Sequence, residues 1–434
     1  MSTDDSANKS PVVGPSKPRL WQVLGPGLIT GASDDDPSGI ATYSQAGAQY
    51  GYGLGWTLVL TYPLMVVIQA ISARIGRTTG RGIAGNLREH YPNWLLQAIV
   101  FLLSIANTLN LGADLGAMGE ASKLLLPGIS TPVYIVFFGI VCTAGQIAFK
   151  HTRYVAFLKW LSLSLFSYFA AMCAVHISWI QLLKGLVWPS LTLDRQFWLM
   201  VVAVLGTTIS PYLFFWQAAQ EVEDTKAVPR RRPLRRAPIQ GPIALARIQL
   251  DTLIGMGFSN LVALAIMITA ASTLHVAGIH EIDSAAQAAQ ALRPIAGNFA
   301  FAVFALGIIG TGLLSIPVLA GSAAYAIGEA RRWPVGLTRQ PLQAKAFYGA
   351  ITLATLLGAA ANMLSLNAVK ALIWSAVING VVAVPVMALL MLMSTNERIM
   401  GEFRVSRLVQ VIGWSATVVM AAASLAFIWS TLAQ

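Results

Sequence analysis

Long apolar segments alternate with short polar segments along almost the whole chain of 434 residues. A helix needs about 20 mostly apolar residues to cross a lipid bilayer. The segments that meet this requirement are 22–50, 52–75, 93–119, 132–149, 153–177, 197–219, 250–273, 297–327, 344–362, 367–394 and 408–431. The pattern therefore predicts an all-α integral membrane protein with about 11 transmembrane helices.

The composition supports the same class, because 56% of the residues are hydrophobic and only 11% are charged. Soluble domains carry roughly 25% charged residues. The polar residues 1–20 predict a disordered cytoplasmic tail. A net charge of +11 suggests nucleic-acid binding in a soluble protein, but here the basic residues lie in loops between apolar segments. We therefore expect a lipid bilayer as the surroundings, with no nucleic acid, no cofactor and no obligatory protein partner.

The basic residues are unevenly distributed between the loops. They are concentrated in the N-terminal tail and in every second loop after it, and the densest cluster is Arg230, Arg231, Arg232, Arg235 and Arg236. Loops rich in Lys and Arg stay in the cytoplasm. This predicts a multi-pass protein of the cell inner (plasma) membrane with a cytoplasmic N-terminus. The cluster could also bind anionic lipid headgroups, and the sequence leaves that alternative open.

Polar residues interrupt the first apolar segment. Asp34, Asp35 and Asp36 are followed by Pro37 and, after one serine, by Gly39. A carboxylate inside a membrane costs about 2.5–3.5 kcal/mol, and proline disfavours helix at the residue before it. We expect an unwound stretch near the membrane centre, with backbone carbonyls available to an ion. An external loop is the alternative, but the flanking halves are too short to span separately.

A second interruption lies in the sixth segment, where Ser210 and Pro211 follow Gly206 and Thr207. An ordinary proline kink is the alternative interpretation. The two interruptions occupy the first positions of two five-helix units, 21–177 and 197–394, and 408–431 is an additional helix. Paired breaks at corresponding positions of two inverted units indicate a transporter binding site.

With these motifs, the chain resembles the natural resistance-associated macrophage protein (NRAMP) family of divalent-metal transporters. The resemblance extends from Gly25-Pro26-Gly27 to the last apolar segment, and it includes residues 69–76 and 373–375. It implies a leucine-transporter-type fold with two inverted five-helix repeats. It also implies that a metal ion binds between unwound helices 1 and 6.

The family's motifs are only partly retained. The first-helix motif Asp-Pro-Gly-Asn reads Asp-Pro-Ser-Gly here, so the metal-binding Asp36 is kept and Gly39 replaces the Asn. The sixth-helix motif Met-Pro-His reads Ser-Pro-Tyr from Ser210 to Tyr212, and the carbonyl donor three residues earlier is Thr207. The resemblance therefore implies a metal site formed by Asp36, Gly39, Thr207 and Ser210.

Other polar residues are candidates for the ion pathway or for proton coupling. These are Asp34, Asp35, Asp114, Tyr212, Asn260 and Asn379, with Asn107 and Asn110 as further residues that could face the pathway. The asparagines could equally form interhelical hydrogen bonds, and nearby polar groups could satisfy Asp114. The acidic residue that the family has three positions after Asp114 is Ala117 here.

These departures change the expected substrate. A thioether favours transition metals, and its loss at Ser210 removes that preference. Mg²⁺ binds through few carboxylates and keeps several waters. The pattern is similar to the NRAMP-related magnesium transporters, and it predicts uptake of partly hydrated Mg²⁺ and Mn²⁺ without proton coupling. Proton-coupled Mn²⁺/Fe²⁺ transport and sodium-coupled symport of a small solute are the alternatives. The sequence contains no catalytic motif, so we do not expect an enzyme.

Overall fold

The structure is a computed structural model that describes residues 26–148, 166–189, 191–192, 194–293, 297, 300–362 and 367–433. The tail expected at 1–20, the last residue of the fourth segment and residues 153–165 of the fifth segment lie outside the described residues. Throughout the described ranges the regular elements are helices, with no strand.

The first repeat begins with a helix in two halves. Its helices are α1 (Pro26–Asp34), α2 (Pro37–Tyr50), α3 (Gly55–Thr79), α4 (Ile83–His90), α5 (Asn93–Leu125), α6 (Thr131–Ala148) and α7 (Phe166–Ala174). A short helix, α8 (Trp179–Val187), leads to the second repeat. The helix α4 is too short to span and connects α3 to α5.

The second repeat also begins with a helix in two halves. Its helices are α9 (Arg195–Thr208), α10 (Pro211–Ala227), α11 (Gly241–Ala270), α12 (Ala285–Gln290), α13 (Ala300–Ala330), α14 (Lys345–Asn362) and α15 (Ala368–Thr395). The short α16 (Glu397–Met400) and the long α17 (Arg407–Leu432) follow. In the described ranges, eight helical stretches are long and apolar enough to cross a membrane.

Both expected interruptions are present. The first break consists of Asp35 and Asp36, between the end of α1 and the start of α2. The second break consists of Ile209 and Ser210, between α9 and α10. The half-helix after each break, α2 or α10, begins with proline. Proline lacks an N–H, but the first turn of a helix does not use that N–H for hydrogen bonding within the helix. The unwound helices 1 and 6 are therefore confirmed.

Glycines bring α1 against α11. A Cβ at Gly27 would lie 2.8 Å from the Asp251 backbone, and one at Gly31 would lie 2.1 Å from the Gly255 carbonyl oxygen. The Gly27 N–H also donates to Asp251 Oδ2 at 2.8 Å. Small residues four positions apart allow helix backbones to approach closely in membranes. This packing fixes where α1 ends, and it thereby places the first break against α11.

Along the membrane-spanning helices, apolar side chains lie on the surface and ionisable side chains lie in the interior, as expected of a protein in a lipid bilayer. Large apolar side chains such as Ile140, Val418 and Leu425 are exposed, whereas the carboxylates of Asp36 and Asp114 are buried. Intramembrane ionisable groups usually face the interior of the helix bundle. The polar groups of the breaks are therefore enclosed by the surrounding helices.

Candidate metal site

Asp36 lies at the centre of the first break and is 1% exposed. Its Oδ1 accepts hydrogen bonds from Ser38 Oγ at 2.7 Å and from the Gly39 N–H at 2.7 Å. Its Oδ2 accepts from Asn110 Nδ2 at 3.0 Å and from Tyr212 Oη at 3.4 Å. All four donors are neutral, and no described Lys or Arg side chain pairs with Asp36. The negative charge of Asp36 is therefore stabilised by dipoles alone.

Asn110 connects Asp36 to α15. Its Oδ1 accepts a hydrogen bond from Ser375 Oγ at 2.7 Å. Asn379 follows Ser375 by four residues, so both side chains lie on the same face of α15. Asn379 is buried, and neither atom of its amide has a partner among the described residues. The structure thus places the predicted pathway residue Asn379 one helical turn from this hydrogen-bond chain.

The last turn of α9 approaches the first turn of α2 at Thr207. A Cβ at Gly39 would lie 3.1 Å from Thr207 Oγ1, so the missing side chain allows this close approach. Ser210 Oγ donates to the carbonyls of Gly206 at 2.8 Å and Thr207 at 3.0 Å. The Ser210 hydroxyl is therefore turned back toward α9. Gly39 contributes its N–H to Asp36 and no side chain.

Tyr212, at the position of the family's His, joins the two breaks directly. Its hydroxyl lies 3.1 Å from the Ser33 carbonyl oxygen, to which it donates, and 3.4 Å from Asp36 Oδ2. The ring is 1% exposed. The first turn of α10 is thus bound to the last turn of α1 and to the first break.

Asp34 and Asp35 face a different helix from Asp36. Ser259 Oγ, on α11, lies 2.7 Å from Asp34 Oδ2 and 3.4 Å from Asp35 Oδ1. Both carboxylates are fully buried, and each has a second oxygen with no partner in the described part of the chain. Within that part, no group of three or more His, Cys, Asp or Glu side chains converges on a single metal position. Asp34 and Asp35 therefore share Ser259, whereas Asp36 points away from them.

The remaining candidates, Asp114 and Asn260, differ in burial and in whether they hydrogen-bond to residues near the first break. Asp114 is buried, its Oδ2 accepts from Ser315 Oγ at 2.9 Å, and the Ser38 N–H donates to its carboxylate. Asp114 therefore contacts the start of α2. Asn260 is partly exposed, and the structure gives it no hydrogen bond to Asp36.

Three serines that hold these groups were not predicted as site residues. Ser259, Ser315 and Ser375 each donate to a candidate residue. Serine is common in membrane helices, and nothing local marks Ser259 or Ser315. Ser375 lies in the segment 373–375 of the family resemblance, which was the one signal available for it.

Comparisons with known proteins agree with this architecture. A family model described as natural resistance-associated macrophage protein-like matches residues 27–430. The divalent metal cation transporter MntH of Ralstonia nicotianae is 27% identical over 430 residues, covering 95% of this chain and 93% of the relative. The MntH of Aeromonas hydrophila is 26% identical over 415 residues, covering 92% and 93%.

Solved structures show the same fold. The manganese transporter of Eremococcus coleocola matches with a TM-score of 0.75 at 18% identity, covering 98% of this chain and 90% of that one. Mhp1, a nucleobase-cation-symport-1 family transporter, matches with a TM-score of 0.51 at 12% identity, covering 97% and 96%. The expected leucine-transporter-type fold is confirmed. Because the family model covers nearly the whole chain, this protein belongs to the natural resistance-associated macrophage protein-like (Nramp) family.

Proposed function

We propose that this chain transports divalent cations across the membrane through a site at Asp36. The observation that carries the proposal is a fully buried carboxylate, at the junction of two broken helices, that has only neutral hydrogen-bond donors. Such a group in a membrane marks an ion pathway. The MntH relatives are named divalent metal cation transporters, which supports this class of substrate.

The donor atoms around Asp36 favour hard cations. The groups bonded to Asp36 Oδ2 are the Asn110 amide and the Tyr212 hydroxyl. We propose that the Thr207 carbonyl and the Ser210 hydroxyl, which bond to each other here, turn toward the cation when it binds. Carboxylate, carbonyl, hydroxyl and water oxygens suit Mg²⁺ and Mn²⁺, whereas thioether sulfur would favour softer metals. We therefore propose Mg²⁺ and Mn²⁺ as substrates that keep part of their hydration shell.

Binding at Asp36 requires an exchange of partners at Oδ2. The Tyr212 contact is the longest of the four, at 3.4 Å, and so it is the easiest to give up. Rotation of the Asn110 amide would turn its oxygen toward the cation, and Ser375 could accept the amide N–H in return. Asn110 would then supply the amide oxygen that the sequence lacks at Gly39.

Uptake into the cytoplasm does not need a proton gradient in this proposal. Moving one charge through 100 mV is worth about 2.3 kcal/mol, so a divalent cation gains about 4.6 kcal/mol. At about 1.4 kcal/mol per tenfold, this corresponds to roughly a thousandfold accumulation. Tyr212 occupies the position of the family's titratable His, and this supports uptake that is not obligatorily coupled to protons.

Contacts near the predicted cytoplasmic end would close the route. Arg247 on α11 lies 2.5 Å from Glu221 and 3.3 Å from Asp224, both on α10. The bond from the Gly27 N–H to Asp251 holds α1 against the same helix. We propose that α1 and α10 separate from α11 to release the cation into the cytoplasm.

The test is ion uptake into proteoliposomes by the unchanged protein, by Asp36→Asn and by Asp283→Asn. Asn still caps α2, so the fold is retained. Asp283 is a matched control, because its side chain is 53% exposed and it pairs with Lys370. We expect Asp36→Asn to reduce Mg²⁺ and Mn²⁺ uptake at least about 100-fold, or about 2.8 kcal/mol, with no effect of the control.

A pH reporter inside the vesicles separates the alternatives. Constant lumenal pH during Mg²⁺ and Mn²⁺ uptake supports the uncoupled proposal. Uptake of Mn²⁺ that excludes Mg²⁺ and acidifies the lumen would instead assign the proton-coupled mechanism. If the unchanged protein gives no metal flux, or if Asp36→Asn transports normally, the proposed site is wrong.

A further inference from the structure

A cavity of about 320 Å³ lies at the predicted cytoplasmic end of the molecule, away from Asp36. Its walls come from α4 and the turn before it in the first repeat, and from α10, α13 and the turn after α13 in the second. Four basic side chains line it: Arg81, Arg88, Lys226 and Arg332. Basic side chains outnumber acidic ones in this lining, and a cavity with a net positive charge attracts anions rather than cations. It is therefore unsuited to be an exit for the transported cation.

Two acidic residues also line this basic cavity, but both are held by neutral donors. Glu329 accepts the backbone N–H groups of Gly82 at 2.8 Å and Gly85 at 2.9 Å. Glu223 Oε2 accepts the Thr338 hydroxyl at 2.6 Å. Neither carboxylate forms an ion pair within 4.0 Å with a described basic residue. The basic side chains therefore remain in excess.

The basic side chains are only partly neutralised. Arg81 pairs with Glu89, and Arg88 donates to the backbone carbonyl of Glu329. Among the described residues, the side chains of Lys226 and Arg332 form no hydrogen bond or ion pair. Burial lowers the pKa of Arg88, the charges of Arg332 and Arg81 lower it further, and the carboxylate of Glu329 offsets part of this lowering. An anion in the cavity would relieve this repulsion.

The backbone at Arg332 is strained. Its φ is 59°, a left-handed conformation that normally favours glycine after the end of a helix. The Trp333 N–H donates to the Gly328 carbonyl at 2.8 Å, which closes the C-terminus of α13 around this residue. A residue other than glycine costs roughly 1 kcal/mol in this conformation. Arg332 therefore occupies a position at the cavity wall where glycine would be more stable.

We propose that this cavity binds a phosphate-bearing anion, with Arg332 and Lys226 as its principal ligands. Guanidinium and ammonium groups form charge-assisted hydrogen bonds to phosphate oxygens. The phosphate could belong to a soluble nucleotide or to a lipid headgroup, and the chemistry of recognition is the same. Because both repeats line the cavity, the bound anion slows their relative movement. Slower movement of the repeats would slow uptake of the cation. That slowing rests on the proposed transport function, whereas the binding of the anion does not.

The test is isothermal titration of the full-length protein in a neutral detergent with ATP and with inorganic phosphate. A third arm measures binding of the protein to phosphatidylglycerol in nanodiscs, against phosphatidylcholine. Arg332→Gly removes the guanidinium and relieves the strained backbone, so the melting temperature should not fall. Arg230→Gly is the matched control: it has a φ of 73°, the same charge change and no place in the cavity lining.

We expect Arg332→Gly and Lys226→Gln each to weaken binding at least about tenfold, because each removes a charge-assisted hydrogen bond. Arg230→Gly and Asp36→Asn should bind as the unchanged protein does. Binding of phosphatidylglycerol alone, lost in Arg332→Gly, would assign the lipid as the source. Equal binding by Arg332→Gly and Arg230→Gly, or no binding in any arm, would overturn the proposal, whatever the uptake assay shows.

Discussion

The first break and the second break are alike in backbone. In each, two residues separate the half-helices, the second of them has an extended conformation, and proline begins the next half. Each preceding half also packs backbone to backbone on another helix, through Gly31 on Gly255 and through Gly206 on Ala376. The two repeats therefore produce the same geometry from different sequences.

The two breaks differ in their polar residue. Asp36 uses its carboxylate to cap α2 and to accept from Asn110 and Tyr212. Ser210 does not cap α10, and its hydroxyl donates to the carbonyls at the end of α9. The first break therefore presents an acidic side chain, whereas the hydroxyl of the second is bonded to the carbonyls at the end of its own helix. This difference indicates that the first break binds a cation and that the second shapes the space around it.

The largest effect is expected from substitutions in the shared packing. A Cβ at Gly31 or at Gly206 would lie 2.1 Å from a backbone carbonyl oxygen, which a side-chain movement cannot relieve. Overpacking costs about 1–3 kcal/mol. Gly31→Ala and Gly206→Ala should each lower the melting temperature and almost abolish uptake. Gly349→Ala is the control, because a Cβ there meets nothing within 4 Å. Normal uptake by both variants would contradict the close packing.

The next effect concerns the chemistry of the second break. Ser210→Met introduces a thioether at the second break, and sulfur favours transition metals over Mg²⁺. We expect the ratio of Mn²⁺ to Mg²⁺ uptake to rise about tenfold, or about 1.4 kcal/mol, in competition assays. Ser210→Leu is the control of similar size without sulfur. An equal change of selectivity in both variants would show that volume, and not ligand chemistry, sets the preference.

A further effect tests the amide beside the first break. Asn110→Leu removes the amide oxygen that we propose Asn110 turns toward the cation, a loss of about 1.4 kcal/mol in binding. Mg²⁺ affinity, measured by titration, should fall about tenfold. Asn107 lies on the same helix and donates to Leu319 and Ser322 on α13. Asn107→Leu should therefore lower stability and leave affinity unchanged. The same loss of affinity in both variants would exclude Asn110 as a specific ligand.

The smallest effect is expected at Tyr212. Its contact with Asp36 is long, at 3.4 Å, so Tyr212→Phe removes little from the first break. We expect uptake of Mg²⁺ to change about two- to threefold, a difference below about 0.7 kcal/mol. Initial rates in proteoliposomes measure this change. A loss as large as that of Asp36→Asn would mean that the hydroxyl takes part in binding throughout the cycle.

The sequence predicted the fold well because its signals are local. The length of an apolar segment, a proline inside it and the alternation of basic loops need no knowledge of distant contacts. The position of Asp36 was predicted for the same reason, and the contact of Thr207 with Gly39 agrees with the expected meeting of the two breaks. The serines that donate to Asp34 and Asp114 could not be predicted, because they come from distant helices.

The class of protein, its family and the interruptions of the first and sixth helices can all be read from the amino-acid sequence. The directions of the carboxylates cannot: Asp36 faces Asn110, 74 residues away, whereas Asp34 faces Ser259, 225 residues away. Helix periodicity relates side chains only within one helix. Where the helix is broken, that relation ends, and the packing of distant helices sets the direction of each carboxylate.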